Sequence, residues 1–191
     1  MAIGLVFFAL ALVLLAIYYF QYSSAYKDLF KTDPIVSSSP APSPIEVEQN
    51  FNLTIAKIAV EAPLILNVDG NDELAYLTAL EKGVAHLSGS VFPGQLGNSF
   101  IFGHSSYYFY APGLYKSIFA NLDELDIGDD IIVNSEKNEY HYKIFEIRIV
   151  DPDDVEITKN VPDHPETLTL MTCTPTGTTL KRLIIFADIV Q

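Results

Sequence analysis

The sequence predicts an all-β fold: a closed eight-stranded β-barrel with short peripheral helices, preceded by an N-terminal transmembrane helix. Three observations predict it. From residue 51 onward, β-branched and aromatic runs of strand length follow one another, separated by Gly, Pro, Asn and Asp. Helical periodicity is confined to two short segments, too sparse for alternating βαβ units, and closing the strands on themselves removes exposed sheet edges. Ahead of all this, residues 2–20 carry no charge.

The elements follow in order. An uncharged helix over residues 2–20 would rise roughly 28 Å, about one hydrocarbon core, and Tyr18, Tyr19 and Tyr22 stand where an interfacial belt would lie. A cleaved signal peptide is the competing reading, with Ser23, Ser24 and Ala25 as small residues at the cut. The run is long for a signal h-region, however, and the cationic n-region is missing. Residues 1–24 are therefore read as a membrane anchor. Lys27 and Lys31 behind the span would, by themselves, keep that side cytoplasmic. Residues 25–50 include TDPIVSSSPAPSPIEVEQN, with four prolines and four serines. That stretch buries too little to offset its ordering entropy and reads as an extended tether. The folded domain is expected over residues 51–191.

Within the domain, FNLTIAKIAV and APLILNV read as strands ending at the turn signal DGN. DELAYLTALEKG reads as a helix capped by Asp72, with Leu74, Leu77 and Leu80 on one face and Gly83 as its stop. SFIFGHS is a buried strand ending at His104. PGLYKSIFANLDEL has a second helical pattern, with Pro112 near its start. DDIIVNS and NEYHYKIFEIRIV are strands joined by a polar turn in which Asn138 is expected to be left-handed. DVEIT, TLTLMTC and RLIIFADIV complete the set.

Charge excludes one class of function. Eleven Lys and Arg against 24 Asp and Glu leave a net charge of −13 over 191 residues, a field that repels nucleic acid. The single cysteine, Cys173, excludes an intramolecular disulfide and a thiolate metal cluster. A lone cysteine is commonly a small buried hydrophobe. Cys173 instead stands between threonines at a strand end. A turn-rich loop, TPTGTTLK, separates it from a strand beginning near Arg182. An antiparallel hairpin would set Cys173 opposite Arg182, with Cβ atoms roughly 4.5–5.5 Å apart. Arg182 is in phase with Ile184 and Phe186, so its guanidinium is expected on an apolar, inward face, where an unpaired cation is costly. A thiolate or a developing oxyanion would give it a partner. Of the four histidines, His104 ranks slightly above His86, which also stands at a strand–turn junction; His141 and His164 read as surface residues.

These residues resemble the sortases, membrane-anchored cysteine transpeptidases of the bacterial surface. The resemblance rests on TLMTC (169–173) followed by Arg182, GH (103–104) after an apolar strand, KIAVEAPLI (57–65), KGVAHLSGSVFPGQLGNSFIFGH (82–104) and GDDIIV…YHYKIFEIRIVDPDDVEI (128–157). It implies a sortase-like barrel with Cys173 as nucleophile, His104 as acid and base, and Arg182 on the oxyanion or the substrate backbone. It implies substrates that are secreted proteins with a C-terminal, LPXTG-like sorting motif, cleaved through a thioacyl-enzyme. The acceptor would be an amine of the cell wall or of a pilin lysine, and the domain would sit on the extracellular face of the cell membrane behind a single-pass anchor. Only KNVPDHPE separates DVEIT from the Cys173 strand, and the loop after Cys173 is short, which looks like the compact class D or E members.

No cofactor is expected. Some sortases bind calcium, and Asp123, Glu124, Asp126, Asp129 and Asp130 crowd one region and Asp151, Asp153 and Asp154 another. Neither follows EF-hand spacing, so solvated acidic loops are the reading. Tyr107, Tyr108, Phe109 and Tyr110 beside His104 read as a substrate wall or as packing for the following helix. Two other functions compete with the transpeptidase: a cysteine hydrolase on the same scaffold, and a non-catalytic, membrane-tethered β-barrel binding module.

Overall fold

A computed structural model describes residues 50–190. The anchor expected over 1–24 and, but for Asn50, the tether over 25–50 lie outside the described residues, as does Gln191. Among the described residues no helix is long and apolar enough to cross a membrane.

Eight strands close into a barrel: β1 (Phe51–Ile55), β2 (Val60–Val68), β3 (Val84–Leu87), β4 (Gly97–Phe102), β5 (Asp130–Asn134), β6 (Glu139–Val150), β7 (Glu166–Thr174) and β8 (Lys181–Val190). Their order around the barrel is β1-β2-β3-β4-β7-β8-β6-β5. Two neighbouring pairs, β2/β3 and β4/β7, run parallel. One α-helix, α1 (Glu73–Leu80), carries the crossover from β2 to β3, and Asp72 caps it by accepting the Ala75 N–H at 3.1 Å. Gly83 follows because the carbonyl of Pro63 lies 2.1 Å from where a Cβ would stand.

The barrel has two apolar clusters. The inner one gathers Leu53, Ile55, Val84, Ile101, Ile131, Val133, Tyr142, Ile144, Leu168, Leu170, Leu183, Ile185 and Ala187, joined by Phe119, Leu122 and Leu125 from the segment after β4. The outer one lies on the opposite face of β4, β7 and β8. It joins Phe100, Phe102, Ile184 and Phe186 to Ala79 and Leu80 of α1, to Val150, and to Ile157 of the β6–β7 connection. These three strands are buried on both faces; this shows in the sequence as the apolar run LIIF (183–186) of β8, whereas β7 alternates Thr with Leu and buries both.

Several expectations are corrected. Arg182, in phase with Ile184 and Phe186, points to the outer cluster and not into the barrel. DVEIT is a 3-10 turn, Glu156–Thr158, in which Asp154 Oδ1 accepts the Glu156 N–H while Ile157 drops into the outer cluster. Eight strands are still reached because VAHL forms β3, and FNLTIAKIAV folds back at Ala59 into β1 and the start of β2. PGLYKSIFANLDEL is not an α-helix. It runs as i→i+3 turns, ending in a 3-10 turn at Leu122–Glu124, because Phe119 is buried in the barrel and gives its N–H to the His104 carbonyl at 3.0 Å. Leu74 lies in the first turn of α1 and is 77 % exposed, so the buried face of that helix is Ala79 and Leu80, flanked by Tyr76. Asn138 is not among the described residues with positive φ; its turn is held by Ser135, whose N–H donates to the Asn138 carbonyl.

The β6–β7 connection crosses the outer face, and Asn98 ties it down. The Asn98 side chain, buried at the start of β4, donates to the carbonyls of Ile157 (3.2 Å) and Lys159 (3.0 Å) and accepts from Thr169 Oγ1 (2.7 Å). Replacing Asn98 by Ala strands these groups away from water, so Asn98→Ala is expected to lower the unfolding free energy by about 1–3 kcal/mol in urea titrations.

Candidate active site

Cys173 lies near the C-terminal end of β7, half-buried, on the outer face of the barrel. Its neighbours are set by the two strands that flank β7. On one side β8 runs antiparallel, and Cys173 is directly paired with Arg182, as the hairpin reading predicts. On the other side β4 runs parallel, with Phe102 paired to Met171 and the Gly103 N–H donating to the Met171 carbonyl at 3.1 Å. Two residues on from that pair come His104, just past the end of β4, and Cys173 on β7. Adjacent strands lie about 4.8 Å apart, and residues two apart share a face. Imidazole, thiol and guanidinium therefore issue from three neighbouring strand ends.

The backbone at His104 is fixed from both sides. Buried Thr172, next to the cysteine, donates from Oγ1 to the Gly103 carbonyl at 2.9 Å. The His104 carbonyl accepts the Phe119 N–H. Gly103 allows this approach, because a Cβ there would stand 2.7 Å from the Phe119 ring. The loop after β7 leaves through a cis Thr174–Pro175 peptide and is held by Thr176 Oγ1 donating to the Ala120 carbonyl at 3.2 Å. The segment 115–125, within the stretch 112–125 expected as a helix, thus acts as a strut under His104.

The His104 imidazole stacks flat on Tyr107, with ring centroids 4.5 Å apart and planes 13° from parallel. Burial pushes its pKa below the ordinary value. Arg182 is half-buried, and Nη1 donates to the carbonyls of Thr179 (3.1 Å) and Lys181 (3.2 Å). Among the described residues it has no carboxylate partner, so its charge stays available. Helix α1 brings Tyr76 to the same place. Burial raises the Tyr76 phenol, with Glu73, Tyr107 and Cys173 as smaller contributors in the same direction.

The structure separates the two histidines that the sequence leaves nearly level. His86 is 0 % exposed, and both of its ring nitrogens are engaged. Nδ1 accepts the Asn67 N–H at 3.4 Å, and Nε2 lies 2.9 Å from both the Val91 carbonyl and Ser90 Oγ. It is a structural core residue. His141 is exposed and pairs with Glu139. His164 is not the plain surface residue expected: it is half-buried, stacks on Phe145 at 3.8 Å and pairs with Asp188. Tyr108, Phe109 and Tyr110 have no following helix to pack on, and Phe109 is 90 % exposed.

The acidic clusters are answered by lysines. Asp126 and Asp129 each take Lys57 Nζ at 2.7 Å, and Asp130 takes Lys143 at 2.8 Å. Asp151 pairs with Lys181. No three His, Cys, Asp or Glu side chains converge as a metal site among the described residues.

Tyr76 is not read as part of a site from the sequence; Tyr107 is read there as a substrate wall or as packing, but not as a stack on the imidazole. A tyrosine three residues past the histidine was visible, but its packing was not.

Burial depresses both His86 and His104, so the unfolded chain binds protons more tightly than the fold. The stability this contributes is complete above the ordinary histidine range, about pH 6.5. It is lost as pH falls through the depressed folded-state values. Thermal melts at pH 7.5 and pH 5 are expected to show a lower Tm at pH 5. His86→Phe flattens that dependence at the cost of overall stability, whereas His104→Ala flattens its own share and leaves stability at pH 7.5 little changed.

Known proteins resemble this chain in sequence and in fold. Residues 53–190 match the family model described as Sortase domain. The chain is 32% identical over 137 residues to Sortase D of Bacillus subtilis (strain 168), a match covering 70% of this chain and 60% of that protein. It thus spans under two thirds of that relative's length. Among solved structures, a Clostridium perfringens Sortase D5 transpeptidase superposes with a TM-score of 0.60 at 26% identity, covering 75% of this chain and 79% of the other. Sortase A from Corynebacterium diphtheriae gives 0.61 at 28%, covering 75% and 61%. Sortase C1 from Streptococcus agalactiae gives 0.63 at 28%, covering 78% and 71%. With a closed eight-stranded barrel and, among the described residues, one α-helix matching the fold of these proteins, the chain belongs to the sortase family.

Proposed function

We propose that the protein is a cysteine transpeptidase that cleaves a sorting motif of a secreted protein and passes the acyl group to an amine. The observation that carries this reading is the register of β7, with Cys173 opposite Arg182 and His104 following two residues after the Phe102–Met171 pair. A thiol that is half-buried at a strand end is reachable, unlike a cysteine sealed in the core.

In this reading the Cys173 sulfur attacks the scissile carbonyl and its proton passes to His104, held neutral by burial at neutral pH. The carbonyl oxygen gains negative charge, which the Arg182 guanidinium meets as a fixed donor where water is scarce. Collapse of the tetrahedral species breaks the C–N bond. The leaving amine takes the proton from His104, and the acyl group stays on sulfur as a thioester. An acceptor amine then attacks, gives its proton to His104, and the thiol is restored.

The substrate would lie along the outer face, over half-buried Met171, between Tyr76 of α1 and the connection that Asn98 holds at Ile157 and Lys159. An LPXTG-like motif is the substrate class this groove is proposed to take, and a cell-wall amine or pilin lysine the acceptor. The identity to a Sortase D and a β6–β7 connection with only a 3-10 turn support a compact, class D-like member. The uncharged run 2–20 and the Pro/Ser tether support a barrel tethered to the cell membrane, and the family resemblance, against the charge of Lys27 and Lys31, supports the outer face.

Three experiments test the reading. With a sorting-motif peptide and an amine, the protein is expected to yield the amide; cleaved acid alone would make it a hydrolase. Cys173→Ala is expected to abolish turnover while the circular dichroism spectrum is kept, and full activity in that variant would leave a non-catalytic barrel. Arg182→Ala is expected to lower kcat by roughly 10²–10³, the cost of an oxyanion donor, with little recovery in Arg182→Lys.

A further inference from the structure

The loop after β4 does more than carry His104 to the strand end. Three residues on, Tyr107 turns back and lays its ring over the imidazole, 4.5 Å between centroids and 13° from parallel. The loop itself is anchored on both sides of this stack. The His104 carbonyl is bonded to the Phe119 N–H, and Lys116 Nζ donates to the Phe109 carbonyl at 2.8 Å. Further along, Tyr107 meets Tyr108 at 5.3 Å, and Tyr108 stacks on Tyr110 at 5.3 Å, so the ring belongs to a short aromatic series. Neither imidazole nitrogen of His104 has a hydrogen-bond partner among the described residues, in contrast to His86, where both are engaged. Hydrogen bonds therefore leave the His104 ring free to rotate about χ2. The stack is the contact that restricts it.

We propose that Tyr107 is a positioning residue for His104: its ring fixes the plane in which the imidazole presents its nitrogens toward Cys173, and it keeps water off one face of the imidazole. The proposal rests on the transpeptidase reading for its kinetic consequences, but the stack and its effect on the imidazole are properties of the folded chain alone. An aromatic face suits this duty because flat stacking holds orientation without taking a nitrogen from the chemistry. A carboxylate at that place would hold the ring too, but would also raise its pKa and occupy one nitrogen. The titratable and charged groups gathered at this end are Tyr107 on the same loop, Tyr76 on α1, Cys173 on β7 and Arg182 on β8, with Lys116 committed to the Phe109 carbonyl. The lowered pKa of His104 has burial as its cause, and the Tyr107 ring lies against one face of the imidazole.

The test compares Tyr107→Ala and Tyr107→Phe with the parent, using the full chain in detergent. Tyr107 is on a surface loop and partly exposed, so both variants are expected to fold, and melting curves check this. The first readout is the titration of the His104 imidazole followed by NMR, which needs no substrate. Removing the ring rehydrates the imidazole, so Tyr107→Ala moves the midpoint up toward the ordinary histidine value, and Tyr107→Phe leaves it in place. The second readout is the kinetics with a sorting-motif peptide. A misoriented acid costs rate more than binding, so Tyr107→Ala is expected to lower kcat at least about tenfold with KM little changed, and Tyr107→Phe to restore it. An unchanged His104 midpoint in Tyr107→Ala overturns the proposal, and so does a Phe variant as impaired as the Ala variant, since the hydroxyl would then be the active part. A protein with no activity on any such peptide but with the midpoint shift intact would count against the transpeptidase reading and leave the stack's role standing.

Discussion

The arrangement depends on one strand, β7, held between neighbours of opposite direction. Parallel pairing with β4 and antiparallel pairing with β8 bring three strand ends to the same rim. A slip of one residue in either ladder would turn one partner to the other face of the sheet. The ladders therefore set the backbone of His104, Cys173 and Arg182 at one rim, and no hydrogen bond joins their side chains among the described residues. The chain keeps that register by burying β4, β7 and β8 on both faces, in the inner cluster and the outer one, which leaves a shifted strand no favourable place for its alternate side chains.

Supports outside the ladders act on the one element that leaves them. His104 lies beyond the end of β4, and its backbone is set by Thr172 through the Gly103 carbonyl and by Phe119 through its own carbonyl. Phe119 links the site to the barrel interior, since its ring is part of the inner cluster. The absence of a side chain at Gly103 lets these two segments meet. Core packing and site geometry are one construction at this rim, so mutations in the segment 115–125 act on the imidazole without touching it.

Much of this was legible in the sequence, and the places where it was not have physical causes. The pairing of Cys173 with Arg182 could be read because two β-branched runs flank a turn-rich loop of defined length. The face on which they lie could not. Leu168 and Leu170 differ from Thr169 and Met171 too little to mark inside from outside in strands that are covered on both sides. DVEIT offered two apolar residues, and these fit a 3-10 turn with one buried isoleucine as well as they fit a strand. The helical period of 112–125 was real, but tertiary contact overrode it, because the Phe119 amide is used by His104 and not by the helix ladder. His86 and His104 were inseparable because what distinguishes them is hydrogen-bond satisfaction by Asn67, Ser90 and Val91, which no local pattern announces.

The convergence of the three side chains is the claim on which the account stands, and through-space proton contacts in the folded protein measure it directly. Nuclear Overhauser effects from the Cys173 β protons to the imidazole ring protons of His104 and to the δ protons of Arg182 are the result this account predicts. Cys173 β protons that see neither group, or that see the imidazole of His86 in its place, would contradict it.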